Sequence, residues 1–332
     1  MKPLKYGDTI GVISPSSPAA GIFKYRFERG IKQLYDLGFK VEIGKSALQI
    51  TGYSAGTAKD RATDLQEMFL NKEISAIICA IGGEHSCELL EYINFETIKA
   101  NPKIIVGYSD ITVLLLSIWT KTKMPTFYGP TLMTEFSEFG GILPFTKEWF
   151  CKTLMSDRPI GKLSSSKLIA DEFISWGSID DQQRKRRIIE TEAFHFIKEG
   201  NGEGLLICAC IEALSHLKGT LYMPDFTNSI LFIETSSDRP NLPYLAAQLS
   251  DLINMKVFEK INGLVFGKKN WQESDINELK NLLLQKTKEF SFPIVIAADF
   301  GHISPILTLP IGCMLSLSSL DNSINFIESP FD

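Results

Sequence analysis

The sequence predicts an α/β protein: an N-terminal parallel-sheet domain with a nucleophile elbow, followed by a C-terminal mixed α/β domain. Three observations carry this expectation. Short apolar, β-branched runs alternate with amphipathic helical stretches through the first half, the order of a parallel sheet with helices on both faces. The apolar run 104–106 passes through Gly107 and Ser109 into a long helical pattern, a sharp strand-to-helix turn. At 332 residues the chain is long for one core, and its patterning loosens between 156 and 203. The divisions read from this are 1–155 for the nucleophile, 156–203 for a linker and substrate loop, and 204–332 for the acid and base.

The elements follow in order. The first strand is Thr9–Ile13, and a Ser14-Pro15-Ser16-Ser17 loop comes after it. Such loops bind ligands at the carboxyl ends of parallel strands, though the serines serve equally as turn and capping residues. Residues 23–37 place Phe27, Ile31 and Leu34 at helical spacing, and Gly38 stands at the C-cap. A second strand covers 40–43, a helix 59–69, and a strongly apolar strand 74–81, with Gly82-Gly83 directly after it. A short helix is expected over 87–93. Residues 125–130 form a strand and turn, 135–141 a loop, and 145–154 a helix. In the second half, strands are expected at 205–211, 230–234, 263–266 and 294–297, with helices at 242–254 and 275–288. A loop at 299–305 and short strands at 307–310 and 314–317 complete the chain.

Composition removes several function classes. With 34 basic and 39 acidic residues the formal charge is −5, which argues against nucleic acid as a partner. The one basic run, 184–187, reads as a solvated loop. No stretch of about 18 apolar residues is present to span a membrane, and the first residues carry no apolar leader core. The six cysteines are scattered, so free thiols in a reducing cytoplasm are expected. Cys208-Ala209-Cys210 is too closely spaced for the usual zinc or redox motif, and the four histidines form no ligand pattern. No metal and no cofactor are expected.

A strand-to-helix turn at Ser109 would hold its hydroxyl out at the carboxyl edge of a sheet. The hydrolase pattern G-x-S-x-G is not matched, because Ile111 replaces the second Gly. Ser109 is therefore either a nucleophile or a helix N-cap with Asp110 in the first turn. A nucleophile needs a base and an orienting acid. His302 lies in a loop after a strand, and His85 beside Gly82-Gly83 competes with it. His195 and His216 read as surface or packing residues. Glu234 ends the run I-L-F-I-E, where a carboxylate is costly unless paired, or is the polar end of a strand. The N–H of Asp110 and that of Gly83 suit an oxyanion hole; a Gly-Gly turn could equally cradle a phosphate. Trp176, in D-E-F-I-S-W, is either a platform for a planar ligand or an anchor for its loop.

Taken together, G-D-T-I-G-V-I-S-P-S-S, R-A-T-D-L-Q-E-M-F, I-G-G, N-P-K-I-I-V-G-Y-S-D-I-T, T-F-Y-G-P, I-L-F-I-E and D-F-G-H resemble the LD-carboxypeptidase family of serine peptidases. The motifs occur in family order over nearly the whole chain. The resemblance implies a Ser-Glu-His triad with the nucleophile at Ser109, the acid at Glu234 and the base at His302. It implies oxyanion donors at Gly83 and Asp110, no metal, and a homodimer. Ile81 before Gly82-Gly83 and the Trp176 stretch resemble the microcin C immunity (MccF-like) branch. That branch implies a peptidyl- or aminoacyl-nucleotide substrate lying over Gly82 and Trp176. A murein LD-carboxypeptidase, or a binding protein on the same fold, is the alternative. Cys208-Ala209-Cys210 departs from the Gly-Gly-Asn that the family typically carries there.

Overall fold

Five apolar runs of the first half become parallel strands: β1 (Thr9–Ile13), β2 (Lys40–Ile43), β3 (Ile74–Cys79), β4 (Ile104–Gly107) and β5 (Thr126–Tyr128). The computed structural model describes residues 1–237 and 239–331. The strands lie in the order β5-β4-β3-β1-β2. Strand β4 is buried at all four positions, as continuous apolar strands covered on both faces are.

The helices match their residues. Lys24–Asp36 buries Phe27, Ile31 and Leu34, and Gly38 follows at φ +89°. Ala58–Leu70 starts on a capping box in which the Thr57 side chain accepts from the Asp60 N–H and Asp60 reaches back. Thr112–Thr122 is buried on nearly every side because it packs against both sheets.

The second sheet is mixed. It draws on β6 (Gly161–Lys162), β9 (His195–Lys198), β10 (Asn201–Cys210), β11 (Ser229–Glu234), β12 (Ile261–Gly267), β13 (Ile294–Ala298), β15 (Met314–Ser318) and β16 (Ser323–Phe326), with β7 (Leu168–Ala170), β8 (Ile188–Glu190) and β14 (Leu309–Ile311) lying elsewhere. Its order is β6-β16-β15-β10-β11-β12-β13-β9, with a parallel centre β10 to β13 and antiparallel flanks. β7 and β8 pair as a separate hairpin.

Several local expectations are corrected. The 74–81 run leaves the strand after Cys79, and 87–93 holds only the 3₁₀ turn Ser86–Leu89. An unforeseen helix, Phe95–Ala100, is capped by the Asn94 side chain. Residues 132–136, at the start of the expected 135–141 loop, form a π turn. The segment 156–203 is not structureless: it supplies both edge strands of the second sheet, the hairpin and the short helix Ile179–Gln183. Edge strands and exposed hairpins bury little, which is why no apolar period marks them. The short strand near 307–310 crosses back as β14 and pairs antiparallel with β5, adding a sixth strand to the first sheet. Among the described residues no helix is long and apolar enough to cross a membrane.

Candidate active site

The first sheet reverses its winding between β1 and β3, and ligand crevices form at such a point, outside the carboxyl ends of the strands. Two loops meet there. The Ser17 N–H donates to the Gly82 carbonyl at 3.1 Å, and the His85 N–H donates to Ser16 Oγ at 3.0 Å. Buried Arg61 reinforces them from below, donating to the carbonyls of Pro15 (2.7 Å) and His85 (3.0 Å) and pairing with Glu88.

Ser109 follows β4 on the neighbouring strand, at φ +64°. That left-handed conformation costs a non-glycine residue about 1–2 kcal/mol, and the packing around it must hold it there. Gly107 makes room for Ile111, since a Cβ at 107 would lie 2.8 Å from Ile111 Cγ2. Gly82 lies against the elbow from the other side. A Cβ there would stand 2.9 Å from Ser109 Cβ and 3.3 Å from the Asp110 nitrogen. Gly83 sits at φ +148° and is exposed. The Asp110 carboxylate accepts from the N–H groups of His85 (3.1 Å) and Ser86 (2.9 Å), binding the glycine loop to the elbow.

The second sheet brings two groups to the same place. Glu234 ends β11 and is fully buried; His302 lies in the loop after β13. His302 Nε2 is 3.0 Å from Ser109 Oγ, and Nδ1 is 2.8 Å from Glu234 Oε2. The carboxylate only accepts, so the imidazole proton sits on Nδ1, and Nε2 is left to accept from the serine hydroxyl. Burial alone would push the Glu234 carboxyl up. The imidazolium that this carboxylate favours at His302, the His302 hydrogen bond, Lys269 and the Tyr128 hydroxyl outweigh it, holding the carboxyl below its ordinary value. Gly301, at φ +87°, lets the loop close on the acid, because a Cβ there would meet Glu234 Cγ at 2.3 Å. The ion pair Lys268–Asp299 (2.6 Å) and the Ser166 N–H on Asp299 fix the start of that loop. A hydroxyl, an imidazole and a buried carboxylate in line, beside backbone N–H groups, can carry out acyl transfer.

Residues 10–129 match the LD-carboxypeptidase N-terminal domain, and residues 203–317 match the LD-carboxypeptidase C-terminal domain. The chain belongs to the LD-carboxypeptidase family. It is a serine-type carboxypeptidase or hydrolase by that membership. It is similar to the microcin C7 self-immunity protein MccF of Escherichia coli, 34% identical over 98% of this chain and 95% of that protein. It is also similar to a probable murein peptide carboxypeptidase of Bacillus subtilis, 27% identical over 97% of this chain and 92% of that one. A structure of MccF in complex with aspartyl sulfamoyl adenosine superposes with a TM-score of 0.91 at 33% identity, covering 99% of this chain and 98% of the other.

Within this family member the remaining candidates fall elsewhere. The His85 ring stacks on Tyr53 at 4.2 Å and lies 3.4 Å from Glu88. His195 is on an edge strand and His216 in an exposed turn. Trp176 stands on the Lys24–Asp36 helix side of the molecule. The Arg26 guanidinium lies 4.5 Å over its ring, and Phe23 meets it at 85°. It is half-buried between these two side chains. Two ion pairs and a hydrogen bond lead from it toward the base: Arg26 to Glu138 (2.5 Å), Glu138 to Arg186 (2.8 Å), and Arg186 donating to Ser304 Oγ (2.7 Å).

Sequence reasoning missed Tyr128. Its hydroxyl donates to Glu234 Oε1 at 2.7 Å and accepts from the Ser109 N–H at 3.3 Å, joining nucleophile and acid. Its signal was the motif T-F-Y-G-P, which periodicity reads only as a strand and turn. Tyr108, edge-on to His302 at 5.2 Å, was equally hidden.

Proposed function

We propose that the protein hydrolyses the amide-type bond joining an aminoacyl or peptidyl group to an adenylate-type nucleotide, detoxifying a microcin C-like compound. The observation that carries this reading is the unbroken hydrogen-bonded line Ser109–His302–Glu234, drawn from both sheets. Ser109 attacks the scissile carbonyl. His302 takes the Ser109 proton at Nε2 and delivers it to the leaving nitrogen. Glu234 holds the ring's tautomer and steadies the imidazolium. The N–H groups of Gly83 and Asp110 receive the oxyanion, and Gly82 keeps the approach open. Water then attacks the acyl-serine as His302 removes its proton, and the acyl–Oγ bond breaks with that proton returned from His302 to Ser109.

The substrate class is supported by the MccF structures with aspartyl sulfamoyl adenosine and glutamyl sulfamoyl guanosine. In this reading Trp176, already stacked by Arg26, offers its free surface to the base. Residues 1–155 contribute the nucleophile, 204–332 the acid and base, and 156–203 the substrate loop. The protein works as a homodimer in the cytoplasm, where its six free thiols stay reduced.

The test is a paired assay: an aminoacyl sulfamoyl adenosine beside a murein tetrapeptide. Preferential hydrolysis of the nucleotide conjugate is expected. Preference for the tetrapeptide would move the protein to the murein branch, and loss of neither substrate would leave a binding protein.

A further inference from the structure

Cys210 ends β10 and pairs in parallel register with Glu234 at the end of β11. Neighbouring residues in register put their side chains on one face of the sheet. One ligating atom each from Cys210, Glu234 and His302 lies within 4.8 Å of the others. Cys210 and Glu234 are buried, while the His302 side chain is 22% exposed and opens the cluster to solvent. A second carboxylate is adjacent, since Cys210 Sγ donates to Glu212 Oε2 at 3.1 Å.

A thiol, an imidazole and a carboxylate make a borderline-soft donor set that suits zinc or cadmium, not magnesium or calcium. Ligand distances of about 2.0–2.3 Å place tetrahedral donors roughly 3.3–3.8 Å apart. The widest separation here must close by about 1 Å, and the Glu234–His302 contact must open by about half an ångström.

We propose that Cys210, Glu234 and His302 form an inhibitory site for a thiophilic divalent cation. Binding at Nδ1 moves the imidazole proton to Nε2. The Cys210 thiol proton is released to water, and Glu234 is already a carboxylate. With Nε2 protonated, His302 donates to Ser109 Oγ and can no longer accept its proton. The hydroxyl is then left unactivated. The binding half stands on the cluster alone; the inhibitory half rests on the hydrolytic reading above.

The experiment titrates the full chain with Cd²⁺, reads the thiolate-to-metal absorption band, and measures Zn²⁺ inhibition of hydrolysis in parallel. A band in the wild type, lost in Cys210→Ser and kept in Cys208→Ser, is expected. Relative to its own uninhibited rate, Cys210→Ser should need at least about tenfold more zinc for half-inhibition, the lower end of what losing even an outer-shell partner costs a metal site. No band in the wild type overturns the proposal whatever the variants do. So does a band that persists in Cys210→Ser, which would place the metal on the half-buried thiols Cys87 or Cys151. A band without loss of turnover overturns the inhibitory half. A wild type inactive on every substrate but showing the band would count against the hydrolytic reading alone.

Discussion

Around Ser109 the restraints are close-packed backbone and short buried contacts: Gly82 against the elbow, the glycine loop on the Ser16 hydroxyl and the Asp110 carboxylate with Arg61 behind it, and the elbow itself at φ +64°. The loop bearing Trp176 is held differently. It hangs on long side chains from distant helices and turns, with Asp181 taken by Tyr25, Arg26 and Arg29, and Arg186 by Glu138 and Ser304. A backbone-packed elbow leaves a displaced atom nowhere to go, so the chemistry is fixed. A loop tied by ion pairs can change its aromatic or its length without disturbing the elbow. Chemistry common to a family and substrates that differ within it would follow from that division.

The largest effect is expected at the nucleophile. Ser109→Ala should fold normally and lose on the order of 10⁶ in rate on every substrate. Activity within about tenfold of wild type, measured as kcat/KM, would take Ser109 out of the mechanism. Glu234→Gln keeps the size and loses the charge. A loss of about 10⁴ is expected, the cost of the analogous change in a Ser-His-Asp triad. Normal turnover in this variant would mean that His302 needs no buried acid.

Glu135 stands between the two regions, near Tyr108 and Arg186. Its carboxylate is buried, accepting from the Thr131 N–H (3.1 Å) and the Thr134 hydroxyl. Burial pushes its carboxyl from 4.5 up to about 7, with those hydrogen bonds pulling back. The unfolded chain then releases this proton before the folded one does. Stability declines as pH rises from about 4.5 to about 7, and the full cost, roughly 3 kcal/mol at most, applies above that. Glu135→Gln should therefore melt higher than wild type near pH 8 and about equally near pH 4. Equal melting points at both pH values would show that Glu135 ionises freely.

Trp176→Ala is the smallest of these effects and the most selective. Loss of an aromatic stack on a base is worth roughly 1–3 kcal/mol, so KM for a nucleotide conjugate should rise about 5- to 150-fold. Cleavage of a peptide without a nucleotide should barely change. Equal losses on both substrates, with a lower melting temperature, would make Trp176 an anchor for its loop through Phe23 and Arg26.

The same contrast governs what the sequence revealed. Strand β4 and the turn after it were legible because β-branched residues, a glycine and a helical period are adjacent in the chain. Ile230–Glu234 announced its buried acid by four apolar neighbours. The partners that join them were silent: Tyr128 reaches Glu234 across 106 positions, and Arg26 reaches Asp181 across 155. Edge strands β6 and β9 carried no period because only one face or edge is covered. Leu309–Ile311 read as an ordinary strand, but nothing local told which sheet it would join.

One hydroxyl, activated across two sheets, is expected to do the chemistry. Labelling with a fluorophosphonate followed by peptide mass analysis tests it most directly. A single adduct is expected, on Ser109, absent in Ser109→Ala and formed far more slowly in Glu234→Gln. An adduct on another serine, or none on the folded wild-type protein, would contradict it.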